Sequence, residues 1–183
     1  MRVIAIVGMA GAGKSEAAAA FEKQGFTRIR FGDTTDEELK RQGMEVNEAN
    51  ERKMREALRQ RYGMAAYAVL NLSRIDLALK TGPVVIDGLY SWEEYISLKD
   101  YFSQRFLVVA VWASPEVRYG RLAVRTVRPL TEAEAFSRDN AEILKLNKGG
   151  PIAMADYTII NEGSLKDLEK NCRKLASGLK KQP

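Results

Sequence analysis

The chain has 183 residues, 45% of them hydrophobic, enough for one core of ordinary domain size, and its 29 basic and 24 acidic side chains leave a net charge of +5 that suits anionic ligands without calling for nucleic acid. It contains no histidine, which excludes His-based triads, His-metal sites and imidazole proton shuttles, so any acid or base is a carboxylate, Lys, Tyr or Cys. The lone Cys172 excludes an internal disulfide, no apolar run approaches the roughly 18 residues of a membrane span, and Val3 to Val7 is too short for a signal-peptide core; a cytoplasmic protein is expected.

In chain order, the apolar run "RVIAIV" (Arg2 to Val7) reads as a first strand, followed by a glycine-rich loop and an alanine-rich helix closed by Gly25. "TRIRF" (Thr27 to Phe31) is a weaker strand. Thr35 to Lys80 reads as a long, mostly helical segment broken near Gly43 and Gly63, too long for a simple crossover. "VVID" (Val84 to Asp87), "FLVVAVWA" (Phe106 to Ala113) and "YTII" (Tyr157 to Ile160) complete five strands without strict alternation, the pattern of a parallel sheet covered on both faces. Helix starts are predicted at Thr35 with Glu38, Ser91 with Glu94 and Thr131 with Glu134, all at capping-box spacing, and at Ser114 before Pro115. Gly82 ends the long helical segment. Pro129 to Pro151 is an insertion with the character of a mobile lid, and the basic end "KLASGLKKQP" reads as a fraying helix terminus. The fold class is α/β: three α/β/α layers with a five-stranded parallel sheet. One domain is expected over 1–183, with a helical insertion at 35–80 and a short lid at 129–151.

Gly8, Gly13, Lys14 and Ser15 fill the G-x-x-x-x-G-K-S pattern between the first strand and the first helix, the context the motif requires. Such a loop turns successive N–H groups toward phosphate oxygens, and the helix N-terminus adds a positive dipole. Lys14 is expected to neutralise the β- and γ-phosphates and the Ser15 hydroxyl to ligate Mg²⁺, with Gly11 keeping the loop tight. Gly8, Gly11, Ala12, Gly13, Lys14, Ser15 and Glu16 form the expected nucleotide-binding set.

Asp87 ends its strand before Gly88, so its carboxylate should emerge at the C-terminal edge of the sheet, beside the loop. There it can hold a water on Mg²⁺, take a proton from an attacking hydroxyl, or only cap a helix. Arg118, Arg121, Arg125 and Arg128, spaced by three, four and three, fall along one stripe of a helix that starts at Pro115. The stripe can meet an anion or be a solvated basic face. Arg128, before Pro129, marks a hinge into the lid, and Arg138 is either a lid contact or exposed ion-pair filler. Asp33 can face an acceptor or cap the helix near Thr35. Tyr62, Tyr67, Tyr90, Trp92 and Tyr95 either flank an acceptor space or belong to core and rim.

With the loop, "FGD", "VVIDG", "SPEVRYGRL" and "ADYTIINEGSL" in this order, the chain from Arg2 to about Leu179 resembles the P-loop nucleotide kinases related to adenylate kinase and dephospho-CoA kinase. It most resembles an archaeal adenylate-kinase-related family. The resemblance implies that Gly8 to Ser15 bind the phosphates of ATP and that Asp87 lies near Mg²⁺ and the acceptor. It implies that Arg121 lies against the adenine or phosphates, that Arg125 reaches the transferring phosphoryl group, and that Asn161 to Gly163 border the adenine. The 35–80 insertion would bind the acceptor. Adenylate kinases and their archaeal relatives carry two acceptor-phosphate arginines where this chain has Asp36 and, at or near the second position, Tyr90; Arg28, Arg30 and Arg41 are candidate substitutes. These departures favour an acceptor other than a plain nucleoside monophosphate, and dephospho-CoA, which reacts through a ribose hydroxyl, fits slightly better.

The expected function is therefore ATP- and Mg²⁺-dependent phosphoryl transfer to a small nucleotide-like acceptor, catalysed by Lys14, Asp87, Arg121 and Arg125, with Asp33, Asp87 and Tyr90 on the acceptor side, by a monomer or homodimer with no membrane or nucleic-acid partner. The alternative is an ATP-binding regulator or slow ATPase without a small-molecule acceptor. A GTPase is disfavoured because "NKGG" (Asn147 to Gly150) lacks the Asp of the guanine motif. A nucleic-acid module would rest on charge alone.

Overall fold

The structure, a computed structural model, describes residues 1–126 and 128–181. Its five strands are β1 (Val3–Val7), β2 (Thr27–Arg30), β3 (Val84–Asp87), β4 (Phe106–Trp112) and β5 (Tyr157–Ile160). They form one parallel sheet in the order β2-β3-β1-β4-β5. β1 is central, with Val3 in register with Val84 on one side and Phe106 on the other. Successive side chains of a strand point to opposite faces, and β1 divides accordingly. Val3, Ala5 and Val7 enter a core with Phe31, Tyr67, Leu98 and Phe102, whereas Ile4 and Ile6 enter a second core with Phe21, Leu168, Cys172 and Leu179. That double burial is why the strand reads as continuously apolar. β2 departs from the expected pattern: its residues are exposed or half-buried because it lies at the sheet edge.

Helices α1 (Lys14–Glu22) and α9 (Leu165–Lys181) cover the second face. The other face carries α2 (Asp33–Arg41), α3 (Glu48–Tyr62), α4 (Ala66–Leu79) and α5 (Trp92–Phe102). α6 (Pro115–Val124), α7 (Glu132–Leu146) and α8 (Gly149–Ala153) connect β4 to β5. The 35–80 segment is helical and breaks at Gly43 and Gly63 as expected. Ser91 and Ser114 accept hydrogen bonds from the N–H groups of Glu94 and Val117, and Thr131 with Glu134 completes a full capping box.

Two helix expectations are corrected. α2 starts at Asp33, after Gly32, so Thr35 lies inside the first turn, where its hydroxyl meets the Tyr67 hydroxyl at 2.6 Å. That buried tertiary bond outweighs the local capping signal. α6 ends at Val124, and Arg125 is already extended. Arg125 and Arg128 therefore leave the helix on which Arg118 and Arg121 stand, and the four arginines do not form one stripe. α9 continues to Lys181; the last two residues of the expected fraying end, Gln182 and Pro183, lie outside the described residues.

Candidate active site

The loop between β1 and α1 depends on backbone that only glycine adopts without strain. Gly11 and Gly13 have φ of 78° and 98°, and a Cβ on Gly13 would stand 2.5 Å from the Asn161 amide nitrogen. Asn161, buried just after β5, donates from Nδ2 to the Ala12 carbonyl at 2.9 Å, while its own N–H donates to the Trp112 carbonyl at 2.7 Å. One side chain thus ties the phosphate loop to the end of the sheet. Next to it, the Glu162 carboxylate accepts from the Ser114 N–H at 2.5 Å. Arg121 donates to the Gly163 carbonyl at 3.3 Å, and its Nη1 is buried with no hydrogen-bond partner among the described residues.

Lys14 opens α1 and folds back, donating from Nζ to the Met9 carbonyl at 3.0 Å. Burial, and then the positive charge of Lys148, pull its ammonium down from 10.5 to about 7. Ser15, one residue on, points its hydroxyl toward Asp87 Oδ1 at 3.4 Å. Asp87 is only 4% exposed, and its other oxygen accepts from Arg28 Nη2 at 2.5 Å. Glu16 is exposed in the first turn of α1.

Arg118 is 4% exposed and serves the interior: it forks onto Asp139 at 3.0 and 2.6 Å and donates to the Ala10 and Ala113 carbonyls. It locks the phosphate loop to α6 and α7. Arg125 donates to the Arg128 carbonyl, and burial with the nearby Arg138 charge lowers its pKa. Arg128 takes a positive φ of 55° and reaches Glu51 at 2.5 Å and Glu48 at 3.1 Å, so it ties the stretch before Pro129 to α3. Arg138 pairs with Glu142 at 3.3 Å.

At the end of β2 and along α2, Arg30 pairs with Asp33 at 3.0 Å and Asp36 at 3.6 Å, and Arg41 pairs with Glu38. Asp33 thus bonds to Arg30 and caps nothing. Tyr90 packs edge-on against Tyr67 at 5.7 Å, and burial followed by the Asp87 and Glu94 charges raises its phenol pKa. Tyr67 and Tyr95 are core residues, and Trp92 stacks on Tyr95 at 5.1 Å. Burial also pushes the Glu94 carboxyl up to about 7.

Sequence reasoning missed Lys148. It is 1% exposed, donates to Glu142 at 2.8 Å, and holds its ammonium 5.6 Å over the Tyr90 ring. Burial raises the Glu142 carboxyl, but Lys148 and Lys14 outweigh it and hold it at about 2. No local pattern distinguishes Lys148; "NKGG" drew notice only as an incomplete guanine motif.

The donors suit magnesium triphosphate. A hydroxyl and a carboxylate at 3.4 Å offer hard oxygen ligands, and among the described residues no cluster of three His, Cys, Asp or Glu side chains competes to hold a metal by itself. Mg²⁺ at such a place keeps waters and leans on phosphate oxygens.

This sheet order, with a Lys-Ser loop at the start of α1 and a carboxylate at the end of the neighbouring strand, defines a P-loop kinase fold. A family model described as an AAA domain matches residues 4–145. The chain is 36% identical over 177 residues to a UPF0200 protein of Thermococcus gammatolerans, covering 94% of this chain and 93% of that one. It is 38% identical over 176 residues to UPF0200 protein MK0400 of Methanopyrus kandleri, covering 93% and 87%. The chain belongs to the UPF0200 family. Among solved structures, TT1252 from Thermus thermophilus superposes with a TM-score of 0.64 at 22% identity, covering 97% of both chains. A shikimate kinase from Acinetobacter baumannii superposes with a TM-score of 0.60 at 18% identity, covering 100% of this chain and 96% of that one. Among the described residues no helix is long and apolar enough to cross a membrane.

Proposed function

We propose that this protein transfers the γ-phosphoryl group of Mg-ATP to a small nucleotide-like acceptor, of the dephospho-CoA or nucleoside monophosphate type. The observation that carries the reading is the alignment of Lys14, Ser15 and Asp87, with the Ser15 hydroxyl 3.4 Å from the carboxylate. Phosphoryl transfer through a loose transition state asks the protein for positioning and charge stabilisation more than for covalent chemistry. Lys14 and the N–H groups of the loop bind the β- and γ-phosphates, and Arg121 and Arg125 add charge. Ser15 would hold Mg²⁺, with Asp87 holding a water on it, and the ion's charge would neutralise the phosphate oxygens. Asp87 is also placed to orient the acceptor hydroxyl or take its proton, once the Arg28 guanidinium yields its place or shares it. Residues 35–80 form the acceptor side, with Asp33 and Tyr90 at its wall. Residues 129–151, with Arg138 and the Arg128 hinge, form the lid whose closure excludes water.

A second reading, an ATP-binding regulator or slow ATPase, draws on Asp36 and Tyr90, which leave the acceptor wall without two arginines. Release of ADP from Mg-ATP against a panel of nucleoside monophosphates, deoxynucleotides and dephospho-CoA separates the two, with Lys14→Ala as the blank. Stimulation by one acceptor above the blank is expected; a flat panel with tight ATP binding would favour the regulator.

A further inference from the structure

Asp87 is held from two sides, and one of its partners stands outside the phosphate loop. Oδ1 faces the Ser15 hydroxyl at 3.4 Å, and Oδ2 accepts from Arg28 Nη2 at 2.5 Å. Arg28 stands on the edge strand β2 opposite Val85, two positions short of Asp87, and its long side chain spans the difference. That side chain is 24% exposed, against 5% for Asp87. Its other terminal nitrogen, Nη1, is 3.8 Å from a second carboxylate, the half-exposed Glu22 at the end of α1, and its Nε is buried with no hydrogen-bond partner among the described residues. The guanidinium is therefore bonded to one carboxylate, close to another, and left with one donor unused. A buried carboxylate without a cation is costly, which accounts for the Arg28 bond, since the Lys14 ammonium is committed to the Met9 carbonyl. A magnesium ion on Ser15 would bring a second cation to the same carboxylate, where the two charges repel. Glu22 lies seven residues beyond Ser15 on α1, about 10 Å along the helix, and offers the guanidinium a partner farther from that ion.

We propose that Arg28 is a displaceable counter-ion, which pairs with Asp87 until Mg²⁺ and triphosphate bind and then moves over to Glu22, so raising the Mg²⁺ concentration that the site requires. The inference rests on the reading of this site as one for Mg-ATP. Freeing Asp87 first costs the Arg28 bond, so the apparent affinity for the metal falls by the fraction of molecules in which the carboxylate is free. Arg30, two residues further along the same strand, pairs with Asp33 and Asp36 instead and takes no part in the exchange.

The test is calorimetric titration of ATP into the full chain at a series of Mg²⁺ concentrations, read as the concentration that gives half of the metal-dependent gain in ATP affinity. Arg28→Met, Glu22→Gln and Arg30→Met are measured alongside, with circular dichroism as the check on folding. With Asp87 free in about a tenth of the molecules, Arg28→Met should lower that concentration about 10-fold. Glu22→Gln, which removes the place to which the guanidinium moves, should raise it. Arg30→Met, which takes the same charge from the same strand, should shift it by less than about 2-fold. An unchanged or higher Mg²⁺ requirement in Arg28→Met is the result of a merely structural ion pair and overturns the inference. Equal shifts in Arg28→Met and Arg30→Met would mark a simple field effect and overturn it too, as would an unchanged or lower requirement in Glu22→Gln. Should Arg28→Met fail to fold, Glu22→Gln decides in the same two directions. If the unaltered protein binds no ATP at any Mg²⁺ concentration, the ATP reading falls and takes this inference with it; if it binds ATP and the shifts fail, or Mg²⁺ brings no gain, the inference alone is lost.

Discussion

The phosphate loop and the helical insertion are held in different ways. Around the loop, Asn161 and Arg118 bond directly to loop carbonyls, and Arg118 and Asp139 are buried at 4% and 6% exposure. On α2 and α3, by contrast, several charge pairs meet at the surface, as in Arg41 with Glu38 and Arg52 with Glu56. Arg128 is the strap between them, running from the stretch before Pro129 to Glu48 and Glu51. The contrast teaches where rigidity is placed: a loop for phosphate oxygens needs preset N–H groups, whereas the proposed acceptor side would have to open and close.

The sharpest way to break this contrast is to cut one bond of each kind. Arg118→Met leaves the buried Asp139 carboxylate without its cation, with only the Tyr119 hydroxyl still donating to it at 3.0 Å, and should cost about 3–5 kcal/mol in urea unfolding. Arg52→Ala, in an exposed pair, should cost under about 0.5 kcal/mol. Comparable losses at the two sites would remove the distinction.

A second effect is a pH dependence. The Lys14 pKa is lowered to about 7 in the folded protein against 10.5 for the free side chain, so between these values the unfolded chain holds a proton that the folded chain has released. Stability contributed by this group should therefore rise with pH from about 7 to 10.5, and Lys14→Met should flatten that slope. Phosphate favours the charged lysine, so ATP binding near pH 8 should take up a proton, visible as a buffer-dependent heat that Lys14→Met lacks. The smallest effect concerns Cys172: burial, helped by Glu169, raises its thiol to about 11, so thiol reagents should react with it only as fast as the second core opens.

What the sequence made legible follows the same division. The loop, the sheet and the position of Asp87 were readable because motif, strand and helix signals coincide over a few residues. Thr35 was misplaced because its spacing to Glu38 mimics a cap, whereas the helix starts two residues earlier, after Gly32, and the Thr35 hydroxyl is taken by Tyr67, 32 residues away. The arginine stripe failed because no glycine marks the end of α6, and because Asp139, Glu48 and Glu51 arrive from other helices. Lys148 was hidden for the same reason, since its burial is a property of α7, α8 and Tyr90 together.

The most direct test of the central claim follows the γ-phosphoryl group itself, by incubating the protein with γ-labelled Mg-ATP and the acceptor that most stimulates ADP release, with Lys14→Ala alongside. The account predicts label on an acceptor oxygen with the unaltered protein and none with Lys14→Ala. Label found only in inorganic phosphate, or at equal rates in both proteins, would contradict it.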